Sequence, residues 1–397
     1  MDCRSARIRV NGHVRVANEF PSKIETSERV YSVLSSIRWD FNDADAGRQS
    51  IHAFHSYPAK FIPEIPRAII RALPPSSGTV VFDPFCGCGT TLVEAQSAGH
   101  ASVGVDLNPI GCLVSKVKTT PLPDNFASEV DLCISRARSM SALPLPSIPN
   151  LDHWFAREVS NVLAALRASI CQVRDAAVKQ ALEAVLSSII VRVSNQDSDT
   201  RYAAVEKQVS TSAVYEVFAQ TARSLSAISH SAELWNKSPA TVINRDIFDI
   251  TPDEIPGEVG LVITSPPYPN AYEYWLYHKY RMWWLGYDPI AVKAKEIGAR
   301  AHFFSGRRSL EDFYFQMSKV FRLLAAAMRK GGYCCFVVGD SKIHGEIVDN
   351  SAHVVAAASE CGFELVFKCD REINPHRKSF NLHHARIKKE HVIVWQR

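Results

Sequence analysis

The 397-residue sequence has no apolar run long enough to cross a bilayer, and its first residues, MDCRSARIRVNG, lack the hydrophobic stretch of a signal peptide. A soluble intracellular protein without a membrane partner is therefore expected. An excess of either sign of charge is lacking: 45 Lys and Arg stand against 41 Asp and Glu, a formal net charge of +4, so any nucleic-acid surface has to come from local clusters. Zinc-ligand spacing is missing, because Cys86 and Cys88 form a C-x-C with no second pair. The ten cysteines, with Cys334 and Cys335 adjacent in an apolar run, read as reduced buried thiols, and no metal is expected. Internal repeats and low-complexity tracts are absent as well. What remains is an ordinary globular composition, 46% hydrophobic and 22% charged, with length for two or three domain-sized units.

Turn residues divide the chain into recognisable pieces. Residues 1–27 carry scattered arginines and little periodicity, which predicts a loose arm, and 28–38 suits a short helix. FIPEIPRAIIRAL (61–73) predicts an amphipathic helix stopped by Pro74-Pro75. TVVFDPF (79–85) and ASVGVDL (101–107) are short apolar runs of strand type, with helices expected over 90–99 and 109–118. Strand, glycine-rich turn, helix, strand opens a doubly wound α/β sheet. The alternation then breaks: 121–150 is rich in Pro and Ser, and 152–236 has apolar residues at helical spacing. Strand signals return at 240–246, 260–267, 331–340, 363–373 and 390–397, making seven strands, the last two forming an antiparallel hairpin. The expected organisation is an arm (1–50), the first part of an α/β domain (51–120), a helical insertion (121–239) and the rest of the domain (240–397).

FDPFCGCGTT (82–91) ends a strand at Asp83 and lets the backbone turn tightly at Gly87 and Gly89, so that Thr90 and Thr91 open a helix with free N–H groups. The loop has no G-K-[ST] and does not fit G-x-G-x-x-G, which excludes a P-loop and the dinucleotide fingerprint. Asp106 ends the second strand, where an acid can hold ribose hydroxyls, and Asp246 ends the third, where it can accept from an adenine amino group. Each acid taken singly also suits a turn or helix cap.

TSPPY (264–268) ends the fourth strand, and here the chain resembles the amino-group (N4-cytosine/N6-adenine) DNA methyltransferases, most closely the N4-cytosine type with S-P-P-Y. The resemblance covers about 280 residues by our count. It rests in order on FHSYPAKFIPEIP (54–66), DPFCGCGTT, GVDLNP (104–109), TSPPY and RIKKEHVIVW (386–395). It implies a Rossmann-like, seven-stranded S-adenosylmethionine-dependent fold with a helical insertion. It also implies S-adenosyl-L-methionine as cofactor, held by Tyr57, Lys60, Phe61, Asp83, Pro84, Phe85, Gly87, Gly89, Thr90, Thr91, Asp106, Asp246 and Ile247. The implied substrate is double-stranded DNA, with a cognate restriction endonuclease as a further partner, in a prokaryotic cytoplasm or nucleoid. Ser265, Pro266, Pro267 and Tyr268 are the implied catalytic residues. An exocyclic amine is a poor nucleophile because its lone pair is delocalised into the ring. Acceptors on both N–H bonds, the Ser265 Oγ and the Pro266 carbonyl, would free that pair for direct in-line transfer. Tyr268 would offer a face to a base turned out of the duplex.

Within the family, Asp at the first position mostly accompanies adenine N6 and Ser mostly cytosine N4, so Ser265 favours cytosine. The Pro-Cys motif of cytosine-C5 enzymes is absent. Alternatives are an adenine-N6 enzyme, an RNA guanine-N2 or protein glutamine methyltransferase, both of which favour N-P-P-Y, and a non-catalytic DNA-binding relative. For DNA contacts, the stretch 374–389 offers Arg377, Lys378, Arg386, Lys388 and Lys389 without an acid, as a phosphate-tracking hairpin or a solvated loop. HFFSGRRS (302–309) adds Arg307 and Arg308. The insertion, with eight Lys/Arg against nine Asp/Glu over 151–236, does not look like a phosphate clamp, although SNQDSDTRY (194–202) suits a polar DNA-facing loop.

Overall fold

The computed structural model describes residues 23–41, 50–199, 201, 203–231, 238–270, 273–299, 309–343, 346–372 and 389–397. Four short apolar runs form parallel strands: β1 (Val80–Asp83), β2 (Ser102–Asp106), β3 (Ala240–Asn244) and β4 (Val259–Thr264). β5 (Met328–Gly339) pairs parallel to β4. A small hairpin, β6 (Ser341–Ile343) with β7 (Glu346–Val348), stands apart from the main sheet and was not anticipated. β8 (Glu364–Glu372) and β9 (Lys389–Gln396) are antiparallel, as expected for a closing hairpin. The order β3-β2-β1-β4-β5-β9-β8 puts the last strand between β5 and β8. This seven-stranded mixed sheet with helices on its faces is the α/β architecture with seven strands expected from the sequence.

Before the sheet come α1 (Lys23–Ser35) and α2 (Glu64–Ala72). Ile65, Ile69 and Ile70 of α2 pack with Val81, Leu261, Val337 and Val392 on one sheet face. The other face carries Phe82, Val262, Phe336 and Trp395 against α12 (Leu310–Ala327) and α13 (Asn350–Glu360). Between the strands lie α3 (Thr90–Ser97) and α4 (Pro109–Thr119), then α5 (Phe126–Arg138), α6 (Leu151–Trp154), α7 (Arg157–Cys171), α8 (Ala176–Val193) and α9 (Thr211–Ser231). α5 falls in the Pro- and Ser-rich stretch of 121–150, within the segment expected as a helical insertion. Phe126, Val130, Cys133 and Ala137, spaced by four, three and four, are its buried stripe.

After β4 come α10 (Tyr274–Leu285) and α11 (Pro289–Lys295). The helices of 121–239 share one apolar cluster with α4 and α10. Leu182, Val185, Leu186 and Ile189 of α8 lie in it with Ile110, Leu113 and Val114 of α4 and Trp284 of α10. Burying one such side chain contributes about 1.5–3 kcal/mol, so α8 cannot leave α4 without losing several of these terms. Arg281 of α10, fully buried, adds a polar tie: its Nε donates to the Ser187 carbonyl at 3.1 Å, and it pairs with Asp199.

Candidate active site at the carboxyl ends of the strands

Asp83 is 2% exposed at the end of β1. Its Oδ1 accepts from Thr264 Oγ1 at 2.6 Å and from the Phe85 N–H at 3.0 Å, so it joins the loop after β1 to the end of β4. Burial pushes its pKa up to about 6, against the hydrogen bonds. Asp106 joins the other side. Oδ2 accepts from Gly87 N at 2.7 Å and Oδ1 from Asn108 N at 2.8 Å, while burial raises its pKa to about 6. Asn108 then caps α4 by accepting from Ile110 N at 3.0 Å, with Pro109 preset at the first helical position.

Gly89 in the loop between these acids has no room for a side chain. Gly89 sits at φ +79°, and a Cβ there would lie 2.8 Å from Ser115 Oγ and 3.0 Å from its Cα. Ser115 Oγ in turn donates to the Gly87 carbonyl at 2.8 Å. The ring of Tyr57 lies over Gly87, stacked on Tyr274 at 6.2 Å and beside His278 at 4.8 Å. Burial, then the nearby Asp106, raises the Tyr57 phenol well above its usual range. Lys60 donates from Nζ to the His52 carbonyl at 2.9 Å. Phe61 packs with the α2 cluster on the sheet face that holds Ile65 and Val81. Pro84 is buried, and Phe85 and Ile247 pack into the opposite sheet-face cluster. Asp246 caps a short turn by accepting from Phe248 N at 3.1 Å, the capping role the sequence left open for it.

The donor and acceptor set suits a polar ligand bearing hydroxyls and positive charge. Thr90 Oγ1, buried at the start of α3, has no hydrogen-bond partner among the described residues, and each Asp106 oxygen is shown with one backbone donor. Thr91 reaches the Ile263 carbonyl at 3.4 Å, which ties α3 to β4.

Ser265 and Tyr268 meet at the end of β4, Oγ to Oη, at 3.0 Å. Pro266 is buried and Pro267 half-buried between them. The Tyr268 hydroxyl also lies 3.1 Å from the Val337 carbonyl of β5 and 3.3 Å from Glu390 Oε1 of β9, and the residue is 8% exposed. The ring expected to receive a base is thus packed against the sheet in this state. Behind it the chain returns: Asn270 N donates to the Gly298 carbonyl at 2.9 Å, and a Cβ on Gly298 would lie 2.6 Å from the Tyr268 carbonyl oxygen. Glu296, 6% exposed, accepts from the N–H groups of Tyr274 and Trp275 at 2.7 and 3.0 Å and so anchors the start of α10. Burial lifts its pKa to about 8.

Glu296 and Glu390 were not singled out from the sequence. Glu390 lies in RIKKEHVIVW, the single acid beside the apolar run VIVW of β9, and that was the available signal. Of the residues expected to touch DNA, Arg307, Arg308, Arg377, Lys378, Arg386 and Lys388 lie outside the described residues. Lys389 is half-exposed and pairs with Asp370 of β8, so a phosphate would have to compete with that carboxylate.

Residues 9–116 match a family model described as DNA methylase (N6_N4_Mtase). The matched segment includes the glycine loop after β1 and Asp106. The type II methyltransferase M.MvaI of Kocuria varians is 27% identical over 246 residues, covering 56% of this chain and 54% of that protein. M.BsoBI of Geobacillus stearothermophilus is 23% identical over 307 residues, covering 68% and 60%. The chain thus spans a little over half the length of these curated relatives. Among solved structures, TrmN from Thermus thermophilus aligns over 85% of this chain and 49% of its own, at 12% identity and a TM-score of 0.34. The rRNA methyltransferase aviRa from Streptomyces viridochromogenes aligns over 90% and 94%, at 13% identity and 0.34.

Proposed function

We propose that this protein transfers a methyl group from S-adenosyl-L-methionine to an exocyclic amino group of a base in DNA, N4 of cytosine, as the methyltransferase of a type II restriction-modification system. The observation that carries the reading is the rigid Ser265-Pro266-Pro267-Tyr268 turn at the end of β4, joined through Thr264 and Asp83 to the glycine loop. When bound, the cofactor supplies an electrophilic methyl group. Asp106, Asp83, Thr90 and the backbone of Gly87 and Gly89 would hold it, with Tyr57 covering the loop. On the base, Ser265 Oγ and the Pro266 carbonyl accept the two amino N–H bonds, and the adjacent prolines keep that carbonyl fixed. Tyr268 turns a ring face to the extruded base, which requires it to give up part of its packing against the sheet. A cognate endonuclease is the expected partner, and Lys389 with the basic residues before it is proposed to follow the phosphate backbone.

The test is nucleoside mass spectrometry of DNA from cells expressing the wild type or Ser265→Ala. The wild type should yield 4-methylcytosine. Ser265→Ala should cut turnover by about 10²–10³-fold, as when one preorganised partner of a transition state is lost, with cofactor affinity nearly unchanged. Finding 6-methyladenine alone would overturn the base assignment, and 5-methylcytosine the direct-transfer chemistry as well.

A further inference from the structure

Tyr268 is not held by apolar packing alone. Its hydroxyl touches Ser265 Oγ on one side and Glu390 Oε1 on the other, at 3.0 and 3.3 Å. The second Glu390 oxygen pairs with Arg371 of β8, which lies opposite Glu390 in the strand register. Arg371 Nε donates to the Trp39 carbonyl at 3.1 Å, fixing the guanidinium from the far side. Glu390 is 17% exposed and Arg371 7%. A continuous line of hydrogen-bonding groups thus leads from the reactive serine through a phenol to a shielded carboxylate.

Resting on the methyltransferase reading above, we propose that Glu390 is the terminal proton acceptor of the reaction, acting on the substrate amine through Tyr268 and Ser265. As the bond from nitrogen to the incoming methyl carbon forms and that carbon's bond to sulfur breaks, the amine nitrogen acquires positive charge. It releases one N–H proton to Ser265 Oγ, the Ser265 hydroxyl proton passes to Tyr268 Oη, and the Tyr268 proton passes to Glu390 Oε1. Glu390 ends neutral, the serine and tyrosine end unchanged, and the methylated amine is neutral. The carboxylate returns its proton to water after the products leave. Glu390 is a positioning residue by contact, since it touches neither base nor cofactor.

The groups that face Glu390 are Arg371 from β8, Tyr268 from the turn after β4 and His391 beside it on β9, while β5 offers only backbone. Burial outweighs Arg371 and lifts the Glu390 pKa above the ordinary glutamate range, which gives the relay an acceptor stronger than a solvated carboxylate.

The experiment has two parts. Single-turnover methyl transfer at saturating cofactor and DNA is followed against pH for wild type, Glu390→Gln, Tyr268→Phe and the double variant. The wild-type rate should rise with pH as Glu390 ionises. Each single variant should be slower by about 100-fold and lose that ionisation, and the double variant should be no slower than either single one. In parallel, the side-chain carboxyl resonances of glutamate-labelled free protein are titrated by carbon NMR. The signal missing in Glu390→Gln should move to a higher midpoint in Tyr268→Phe, because the phenol donates to the charged form. Equal pH profiles in wild type and Glu390→Gln, or a Glu390 midpoint indifferent to Tyr268→Phe, would overturn the relay. A wild type that transfers no methyl group to DNA would instead overturn the functional reading on which it rests. Calorimetric cofactor binding reports whether each variant is folded.

Discussion

Around the glycine loop after β1, several contacts are short in sequence: Asp106 reaches back 19 residues to Gly87, and Ser115 reaches 28 to the same glycine, while Asp83 and Thr91 tie it across 181 and 172 residues to the end of β4. At the catalytic end they are long, with Tyr268 bonded across 69 residues to Val337 and 122 to Glu390. The first region is shaped largely within one stretch of chain, whose turns, glycines and acids follow one another in order, and is tied to β4 through Asp83 and Thr91. The second is a four-residue turn that has its geometry only after β5, β9 and the segment around Glu296 have assembled about it. A local motif shapes most of the glycine loop, whereas the turn after β4 is held in place from a distance.

The largest effect that would sharpen this contrast concerns Glu296. Its pKa is about 8 in the folded protein against 4.5 for a free glutamate, so the fold favours the protonated form. That stabilisation is complete below pH 4.5 and is lost as pH rises through 8. Denaturant unfolding should therefore show Glu296→Gln gaining about 3–4 kcal/mol relative to wild type between pH 5 and 9. A constant difference across that window would show that α10 and the catalytic turn are not anchored through this buried acid.

Next in size is the cofactor end. Asp106→Ala frees the N–H groups of Gly87 and Asn108 and should weaken S-adenosylmethionine binding by about 1.5–3 kcal/mol, read by calorimetry on folded protein. An unchanged affinity would remove Asp106 from the ligand's contacts. The smallest effect belongs to Gly89→Ala, which places a Cβ at positive φ against Ser115. It should lower stability by about 1–2 kcal/mol, seen as a reduced denaturation midpoint with unchanged slope. A neutral result would mean that the loop can shift as a unit, and that its local contacts specify less than the comparison claims.

The same contrast explains what could be read from the chain. All seven strands of the main sheet and the closing hairpin were legible, because most are apolar runs between turn residues, and β8 (ELVFKCDRE) keeps enough apolar positions to read as a strand despite its charges. Asp83, Gly87, Gly89 and Asp106 come together around one loop because their spacing is itself the geometry, and their part in binding is the proposal made above. α5 was obscured by the prolines and serines around it, although its buried stripe keeps helical spacing. Glu296 and Glu390 were opaque, since a glutamate in a line of text has the same appearance whether it is solvated or buried. Only the return of the chain past Tyr268, and the register that sets Glu390 against Gly339 and Arg371, gives them a role. Asp246 shows the reverse: its position at a strand end was apparent, and the contact the structure gives it is a cap.

The placement of β9 between β5 and β8 also sets a timetable. During synthesis, β5 emerges with one edge unpaired, and its partner follows only about 50 residues later, a delay of roughly 3–10 s at ordinary elongation rates. Until then the sheet has an open slot lined by Cys335 and Val337, a template for any stray strand. The strand that closes the slot also carries Glu390. The glycine loop, whose strands come earlier in the chain, would thus take shape before the Tyr268 hydroxyl gains its contact with Glu390, so the turn after β4 is completed last.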